Sequence, residues 1–203
     1  MPRILFLAAL PFALQAQSTP WTVRTDPGSR DTVSHVTMPP GWHITTGPGA
    51  LVYDAANTAT GRYALSLEVH LFPKPSREGY GIFLGGRDVE GTNASYVAVL
   101  MRGDGALQVA RVTGTQQQAL LDWTPTTAIK PHPGTDDTAL NILTVRVDPD
   151  SLRIDGNGSR VAAIARGDLV LDGTFGIRVG TGINLHVTNY DVTRRLAPTP
   201  RRR

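Results

Sequence analysis

Two residues of the sequence, Glu68 and His70, combine acid–base chemistry with a spacing that places them side by side. They lie two positions apart in the stretch RYALSLEVHLF, where apolar residues alternate with polar or small ones. Successive side chains of a β-strand point to opposite faces, so both residues share the polar face of a half-buried strand. A carboxylate beside an imidazole can act as acid and base, or bind a polar ligand. A solvated face with ordinary cross-strand pairs is the alternative interpretation.

Four further residues complete a candidate ligand-binding patch. Tyr96 and Arg102 lie on the face of the strand SYVAVLMR opposite its apolar stripe of Val97, Val99 and Met101. Arg87 and Asp88 directly follow the glycine-rich strand YGIFLGGRD, in a loop, where binding residues often lie. If the two strands belong to one sheet, the six residues form a polar patch around an aromatic ring. We predict that this patch binds a sugar by stacking and directional hydrogen bonds.

The sequence gives little support for a cofactor. It has no cysteine, and its five histidines lack the close spacing of a zinc site. The glycine-rich stretch has neither the helix-opening context of a dinucleotide-binding loop nor the Lys-Ser/Thr pair of a P-loop. We therefore predict no cofactor, no catalytic residue and no metal ligand. A calcium ion held by Asp136 and Asp137 is the alternative.

The elements that carry these residues are β-strands. Period-two alternation recurs along the chain, and helical periodicity is almost absent after the first residues. Turn signals separate the strands: Asp104-Gly105 predicts a two-residue hairpin turn, and the segment 155–158 predicts a second hairpin. Short strands at this spacing predict an all-β fold, a two-sheet antiparallel sandwich or jelly roll over residues 17–193. The long loop at 125–138 belongs to the same domain.

The two ends of the chain are predicted to lie outside the sandwich. Residues 1–16 have an early Arg3, an apolar run and Ala16 before a polar stretch, which is the layout of a cleaved secretory signal peptide. The apolar run is too short for a permanent membrane span. Residues 194–203, RRLAPTPRRR, predict a disordered basic tail. We therefore expect an exported protein, periplasmic or secreted, without a stable membrane span after signal removal.

The net charge of +3 comes from the two ends of the chain. Of the 20 basic residues, Arg3 and the five arginines from 194 onward lie in these segments, which leaves 14 against 17 acidic residues. The predicted sandwich is therefore slightly acidic. A nucleic-acid-binding face needs clustered Lys and Arg, so we predict no nucleic-acid partner.

Five stretches carry a resemblance to a known family. In order over residues 40–193 they are GRYALSLEVHLF, GYGIFLGGRD, SYVAVLMRGDGALQVARV, LNILTVRVDPDSLRIDGNG and GTFGIRVGTGINLHVTNYDV. Together they resemble the concanavalin A-like lectin/glucanase superfamily, in its laminin G-like bacterial branch. The resemblance implies a jelly roll of two packed antiparallel sheets, in proteins that bind sugars, bind proteins or cleave glycans. A neighbouring branch is the 3-keto-disaccharide hydrolase domain family, whose F-N-G-K-D-L-x-G-W opening this chain lacks.

The spacing of the glutamates argues against a glucanase mechanism. Glucanases that the chain resembles carry E-x-D-x-x-E or E-x-D-x-E on one strand, whose outer glutamates act as nucleophile and acid/base. Glu68, Glu78 and Glu90 are the three glutamates here, and none has that spacing. This favours an exported, non-catalytic, lectin-like protein that binds a glycan or another surface polymer. Two alternatives stay open: a glycoside hydrolase using Glu68 and His70 on a concave face, and a structural or interaction domain without a small ligand.

Overall fold

Alternating apolar residues build a sandwich of two antiparallel sheets. The computed structural model describes residues 21–27, 32–73, 76–134 and 136–194. The described residues form fourteen strands and no helix: β1 (Thr22–Thr25), β2 (Val33–Thr37), β3 (Trp42–Thr46), β4 (Ala50–Ala59), β5 (Tyr63–Leu71), β6 (Gly79–Arg87), β7 (Ser95–Arg102), β8 (Ala106–Thr113), β9 (Gln116–Pro125), β10 (Ala139–Val147), β11 (Ser151–Gly156), β12 (Ser159–Ala165), β13 (Gly173–Val179) and β14 (Asn184–Arg194). The predicted all-β sandwich is confirmed.

Each sheet has seven strands. The first sheet has the order β1-β4-β13-β6-β7-β8-β9, and the second has the order β12-β11-β10-β5-β14-β3-β2. Strands that are consecutive in the chain are often in different sheets: β5 pairs with β10 and β14, whereas β6 pairs with β7 and β13. The chain therefore crosses between the sheets repeatedly, as in a jelly roll.

The core lies between the two sheets and uses one face of each. Leu65, Leu67 and Val69 of β5 are fully buried, and they share one apolar cluster with Val99 and Met101 of β7. Burial of each such side chain contributes about 1.5–3 kcal/mol relative to exposure. The two predicted apolar stripes are therefore confirmed, and the alternate residues of β5 and β7 lie on the outer faces.

A second apolar cluster covers part of the outer face of the first sheet. The Arg24 Nη2 atom donates a 3.0 Å hydrogen bond to the Gly91 carbonyl and ties the loop after β6 to β1. The cluster's buried residues come from β4, β6, β7 and this loop: Leu51, Tyr53, Phe83, Val89, Ala94, Tyr96, Ala98 and Leu100. Much of this outer face is thus buried without any contribution from the second sheet.

Aromatic side chains pack at the margin of the core near the edge strands β1 and β2. The rings of Trp21 and Trp42 have centroids 4.8 Å apart, and Trp21 lies 5.8 Å from Tyr190. All three pack against the main core cluster. Trp21 and Trp42 therefore contribute to the packing of the core.

The hairpin between β7 and β8 differs from the predicted two-residue turn. Three residues, Gly103, Asp104 and Gly105, connect the strands, and the Gly105 N–H donates a 3.0 Å hydrogen bond to the Arg102 carbonyl. Gly105 has φ of 84°, in the left-handed region. A turn followed by a left-handed glycine is the usual three-residue hairpin, which the Gly-Asp-Gly sequence accommodates as well as the shorter one. The second predicted hairpin turns at Asn157-Gly158, both with positive φ.

The predicted ends of the chain lie mostly outside the described residues. The signal segment 1–16 and residues 195–203 belong to that part. Arg194, assigned from the sequence to the tail, is the last residue of β14, where it is opposite Tyr63 of β5. The sandwich therefore extends one residue beyond its predicted boundary.

The left-handed conformation of Gly105 generates a stability prediction. Gly105→Val places a β-branched residue at positive φ and should lower the free energy of unfolding by about 1–3 kcal/mol. Gly105→Asn should lower it less, because asparagine tolerates this conformation. An added Cβ would lie 3.1 Å from the Ile129 carbonyl oxygen in both variants. The difference in stability between the two variants therefore reports the cost of the left-handed backbone conformation. Chemical denaturation measures both; equal stability of parent and Val variant would refute the turn.

Candidate functional site

The six residues predicted to form one patch are divided between the two sheets. Glu68 and His70 lie on β5 and face outward from the second sheet. Tyr96 and Arg102 lie on β7 in the first sheet, on the opposite side of the sandwich. The prediction that the six residues form a single patch is therefore wrong. The alternation rule assigned the faces correctly but carries no information about which sheet a strand joins.

The four residues on the first sheet are also dispersed. Arg87 ends β6, and Asp88 follows it with φ of 48°; both are exposed. Tyr96 is near them, but its ring packs edge-on against Phe83 at 5.5 Å and only 7% of the residue is exposed. Burial raises the pKa of Tyr96. The Tyr96 ring is part of the second apolar cluster, so it does not form the expected open platform for stacking. Arg102 lies about 20 Å further along β7.

Glu68 and His70 each have a separate partner on the outer face of the second sheet. The Glu68 carboxylate accepts a 2.6 Å hydrogen bond from the Thr188 hydroxyl, and His70 Nδ1 lies 3.3 Å from the Thr138 hydroxyl. His70 lies opposite His186, which lies opposite His43, with ring centroids 6.5 and 6.1 Å apart. The fold thus gathers three histidines that are distant in the sequence into one row.

A cleft lies at the end of the sandwich where β5 and β7 end and β6, β10 and β14 begin. It has a volume of about 690 Å³, and we call it the end cleft. An adjoining hollow of about 390 Å³ shares three of its residues and adds Arg102. The end cleft is lined by Leu71, Ser76, Arg77, Gly103, Asp104, Pro131, His132, Ile183 and Asn184. Of the six predicted residues, only Arg102 borders it.

The wall formed by the 126–138 loop is held by a buried amide. Asn141, on β10, is fully buried; its Oδ1 accepts a 2.8 Å hydrogen bond from the Lys130 N–H, and its Nδ2 donates a 3.0 Å bond to the Lys130 carbonyl. Ile129 inserts into the core next to this contact. The His132 N–H then donates a 2.7 Å hydrogen bond to the Gly103 carbonyl and joins the loop to the hairpin. Pro131 and His132 are therefore positioned by core contacts.

A charged pair forms the hairpin side of the end cleft. Arg102 Nε donates to both carboxylate oxygens of Asp104, at 2.9 and 3.0 Å, and Arg102 Nη2 donates to Oδ2 at 2.6 Å. Hydrogen bonding to Arg102 holds the pKa of Asp104 below its usual range. The guanidinium also lies 4.5 Å from the Trp123 ring centroid, a cation–π contact. These contacts fix both charges in place.

The other polar groups that line the end cleft are mainly hydrogen-bond donors. Asn184 Oδ1 accepts from the Thr45 hydroxyl at 3.1 Å, which leaves the amide NH₂ to donate. His132 Nδ1 accepts from the Gly134 N–H at 3.0 Å, so the neutral ring carries its proton on Nε2. That buried Nε2 has no hydrogen-bond partner among the described residues. Arg77 is exposed and makes no ion pair with a described residue.

The described residues contain no group of side chains suited to a metal ion. Across residues 21–27, 32–73, 76–134 and 136–194, no three His, Asp or Glu side chains are grouped so as to hold a metal ion. Asp136 and Asp137 are exposed in the loop before β10. The calcium site at these two residues stays a prediction.

The end cleft was largely hidden from sequence reasoning. Asp104 was recognised as a turn residue and His132 as one of five scattered histidines. Arg77 and Asn184 gave no signal, because each follows or precedes a strand without any motif around it. The usable signal was positional: loops that adjoin strand ends on one side of a sandwich gather at the same end.

The comparisons with solved structures define the fold. The carbohydrate-binding module CBM66 from Bacillus subtilis has a TM-score of 0.64 at 12% identity, over 87% of this chain and 96% of that chain. The VIP36 exoplasmic/lumenal domain, bound to Ca²⁺ and Man3GlcNAc, has a TM-score of 0.62 at 11% identity, over 89% and 86%. A Bacteroides ovatus GH16 protein in complex with a G4G4G3G product has a TM-score of 0.55 at 10% identity, over 85% and 94%.

These likenesses show that the chain has the fold of the concanavalin A-like lectins and glucanases, as its strand order suggested. The laminin G-like branch stays a prediction. No protein-family model matches the sequence, and no curated protein matches it. The part of the chain that the structure describes has no helix long and apolar enough to cross a membrane.

The anchoring role of Asn141 can be tested. Asn141→Ala leaves the N–H and carbonyl of Lys130 without their buried partner and should lower the free energy of unfolding by about 1–3 kcal/mol. Amide hydrogen exchange in residues 130–134 should accelerate, because the loop loses its tie to β10. Asn93→Ala, at an exposed position between β6 and β7, is the control and should change neither quantity. Unchanged exchange in the Asn141 variant would contradict the anchoring.

Proposed function

We propose that the protein is exported, is not an enzyme, and binds a glycan or another surface polymer in the end cleft. The observation that carries this proposal is the end cleft itself. It is an open site of about 690 Å³ that combines apolar walls with charged and amide groups. Its volume lies within the range of small-molecule sites, about 300–1,000 Å³.

The lining of the end cleft suits the two surfaces of a sugar. Pro131 is exposed and offers apolar surface to the C–H face of a ring, and the nearly buried Leu71 and Ile183 form the apolar base of the cleft. Arg77 and Asn184 offer donors to its oxygens. An apolar site with a few placed polar groups is the usual composition of a specific small-ligand site. The arrangement binds and orients, and it requires no chemical step.

The carboxylates argue against glycoside hydrolysis. That reaction uses two carboxyl groups about 5–9.5 Å apart. Asp104 is the one carboxylate among the described residues that line the end cleft and its adjoining hollow, and it is paired with Arg102. Glu68, the acid of the alternative hydrolase hypothesis, accepts a hydrogen bond from Thr188 on the far sheet. A hydrolytic role therefore lacks its second acidic group in this cleft.

The structural neighbours make glycan binding a natural proposal for this fold. CBM66 is a carbohydrate-binding module, and the VIP36 domain forms a complex with Man3GlcNAc. At identities of 12% and 11% these proteins support a fold and not a ligand. The choice of ligand therefore depends on the residues of this chain's own cleft.

Site-directed variants test the location of binding. A glycan array on the mature chain identifies a ligand, and calorimetry then compares variants. Arg77→Ala combined with Asn184→Ala should weaken binding at least about tenfold, because two hydrogen-bonding groups of the end cleft are lost. Glu68→Ala combined with His70→Ala should bind like the parent, since those residues lie on the outer face of the second sheet. The reverse result would move the site to that face.

Export is tested by the mature N-terminus. The proposal rests on the signal-like segment 1–16 and predicts that secreted or periplasmic protein begins at Gln17. Mass spectrometry of the exported protein gives the first residue directly. A chain that retains Met1 and is found in the cytoplasmic fraction would contradict it.

A further inference from the structure

We propose that the ligand of the end cleft is an acidic glycan, one that carries carboxylate or sulfate groups. This inference deepens the proposed function and rests on it. It follows from a count of the hydrogen-bonding groups that the cleft leaves available, because a ligand must complement the groups that the protein has not already paired.

Most of the acceptor capacity of the end cleft is already used. The single Arg102 Nε–H is shared between the two carboxylate oxygens of Asp104, at 2.9 Å from Oδ1 and 3.0 Å from Oδ2. Oδ1 also accepts from the Ala106 N–H at 3.2 Å, and Oδ2 accepts from Arg102 Nη2 at 2.6 Å. Three N–H groups thus occupy most of the roughly four acceptor sites of this carboxylate.

The remaining polar side chains repeat this pattern. Asn184 Oδ1 is bonded to the Thr45 hydroxyl. The Ser76 hydroxyl donates to the Thr181 carbonyl at 2.8 Å and accepts from the Glu78 N–H at 3.2 Å. His132 Nδ1 accepts from the Gly134 N–H. Hydrogen bonds within the protein thus occupy most of the acceptor atoms of the lining side chains.

The groups left over for a ligand are donors. They are the exposed Arg77 guanidinium and the Asn184 NH₂ group. The Nε2 atom of His132 is buried and does not count among them. A neutral sugar supplies hydroxyls that both donate and accept. A carboxylate or sulfate supplies acceptors only and therefore matches this set.

The charges point in the same direction. The end cleft and its adjoining hollow contain two guanidiniums, Arg77 and Arg102, and one carboxylate, Asp104. Because Arg102 and Asp104 neutralise each other, Arg77 remains as the uncompensated charge of the described lining. A guanidinium presents its N–H groups as a fork that fits a carboxylate or a sulfate in two parallel hydrogen bonds.

The test compares polymers that share a backbone and differ in their acidic groups. Polygalacturonate and its fully methyl-esterified form share a backbone, and chondroitin sulfate and unsulfated chondroitin separate sulfate from carboxylate. We expect the full chain to bind polygalacturonate or chondroitin sulfate at least about tenfold more tightly than the matched polymer without that group, and the preference should fall as salt is raised.

Three variants locate this preference in the cleft. Arg77→Gln should lower affinity for the preferred acidic polymer at least about tenfold. Arg160→Gln, on the exposed edge strand β12, is the matched charge control and should change affinity less than twofold. Asp104→Asn keeps an oxygen for the Ala106 N–H and releases Arg102, so it should bind the acidic polymer as well as the parent or better.

Each contrary result has a distinct meaning. Equal binding of the charged and uncharged polymers, with loss of affinity in Asp104→Asn, would overturn the acidic ligand and leave glycan binding intact. Equal, small losses in Arg77→Gln and Arg160→Gln would assign polyanion binding to other arginines and overturn the inference. Failure of every polymer, neutral or acidic, to bind the parent would overturn the proposed function itself.

Discussion

Each sheet of this protein must bury one face against the other, and the remaining features depend on that constraint. Alternate residues of a strand point to opposite faces, so the apolar stripe of β5 and that of β7 meet in one core. Most polar residues are thereby placed on the outer faces and in the connections, and Asn141 on the buried side of β10 is an exception. The second apolar cluster restricts polar residues further, because it buries much of the outer face of the first sheet. At the loop end of the sandwich, polar groups line an open cleft.

Two walls of the end cleft, the long loop before β10 and the hairpin between β7 and β8, are anchored to the core. Ile129 is 1% exposed and Asn141 is fully buried, so the long loop has an apolar and a polar anchor before it reaches the cleft. The Gly103–Gly105 hairpin is fixed by the Arg102–Asp104 pair and by its contact with His132. Preorganised walls lower the entropy lost on binding, which favours specific recognition of a ligand by few contacts.

The strands and their faces could be predicted from sequence because they depend on local alternation. The stripe Tyr63, Leu65, Leu67, Val69 and Leu71 was predicted as the buried face of its strand, and it is buried. The sheet that each strand joins could not be predicted in this way. Glu68 and Arg102 look equivalent as outward residues, yet they face opposite sides, since β5 and β7 pair with strands far away in the sequence. Strand pairing in a sandwich is a long-range property, and no local pattern encodes it.

The candidate site shows the same limit. Tyr96 has the alternation of an outward residue and is nevertheless buried, because Val89 and Ala94 of a neighbouring loop join the cluster around it. The histidine row formed by His43, His70 and His186 likewise depends on the register of three strands. The Gly-Asp-Gly hairpin, in contrast, was located from sequence, since its residues favour a turn locally; only its length was wrong.

A ligand bound at the loop end of the sandwich and a ligand bound on a sheet face perturb different residues. An NMR titration of the isotope-labelled full chain, with the glycan it binds best on an array, separates the two. For binding in the end cleft, we expect chemical-shift changes to concentrate in residues 103–105, 130–134 and 183–184. Changes concentrated at residues 66–70 and 186–188, with the cleft residues unmoved, would place the ligand on the outer face of the second sheet and refute binding in the end cleft.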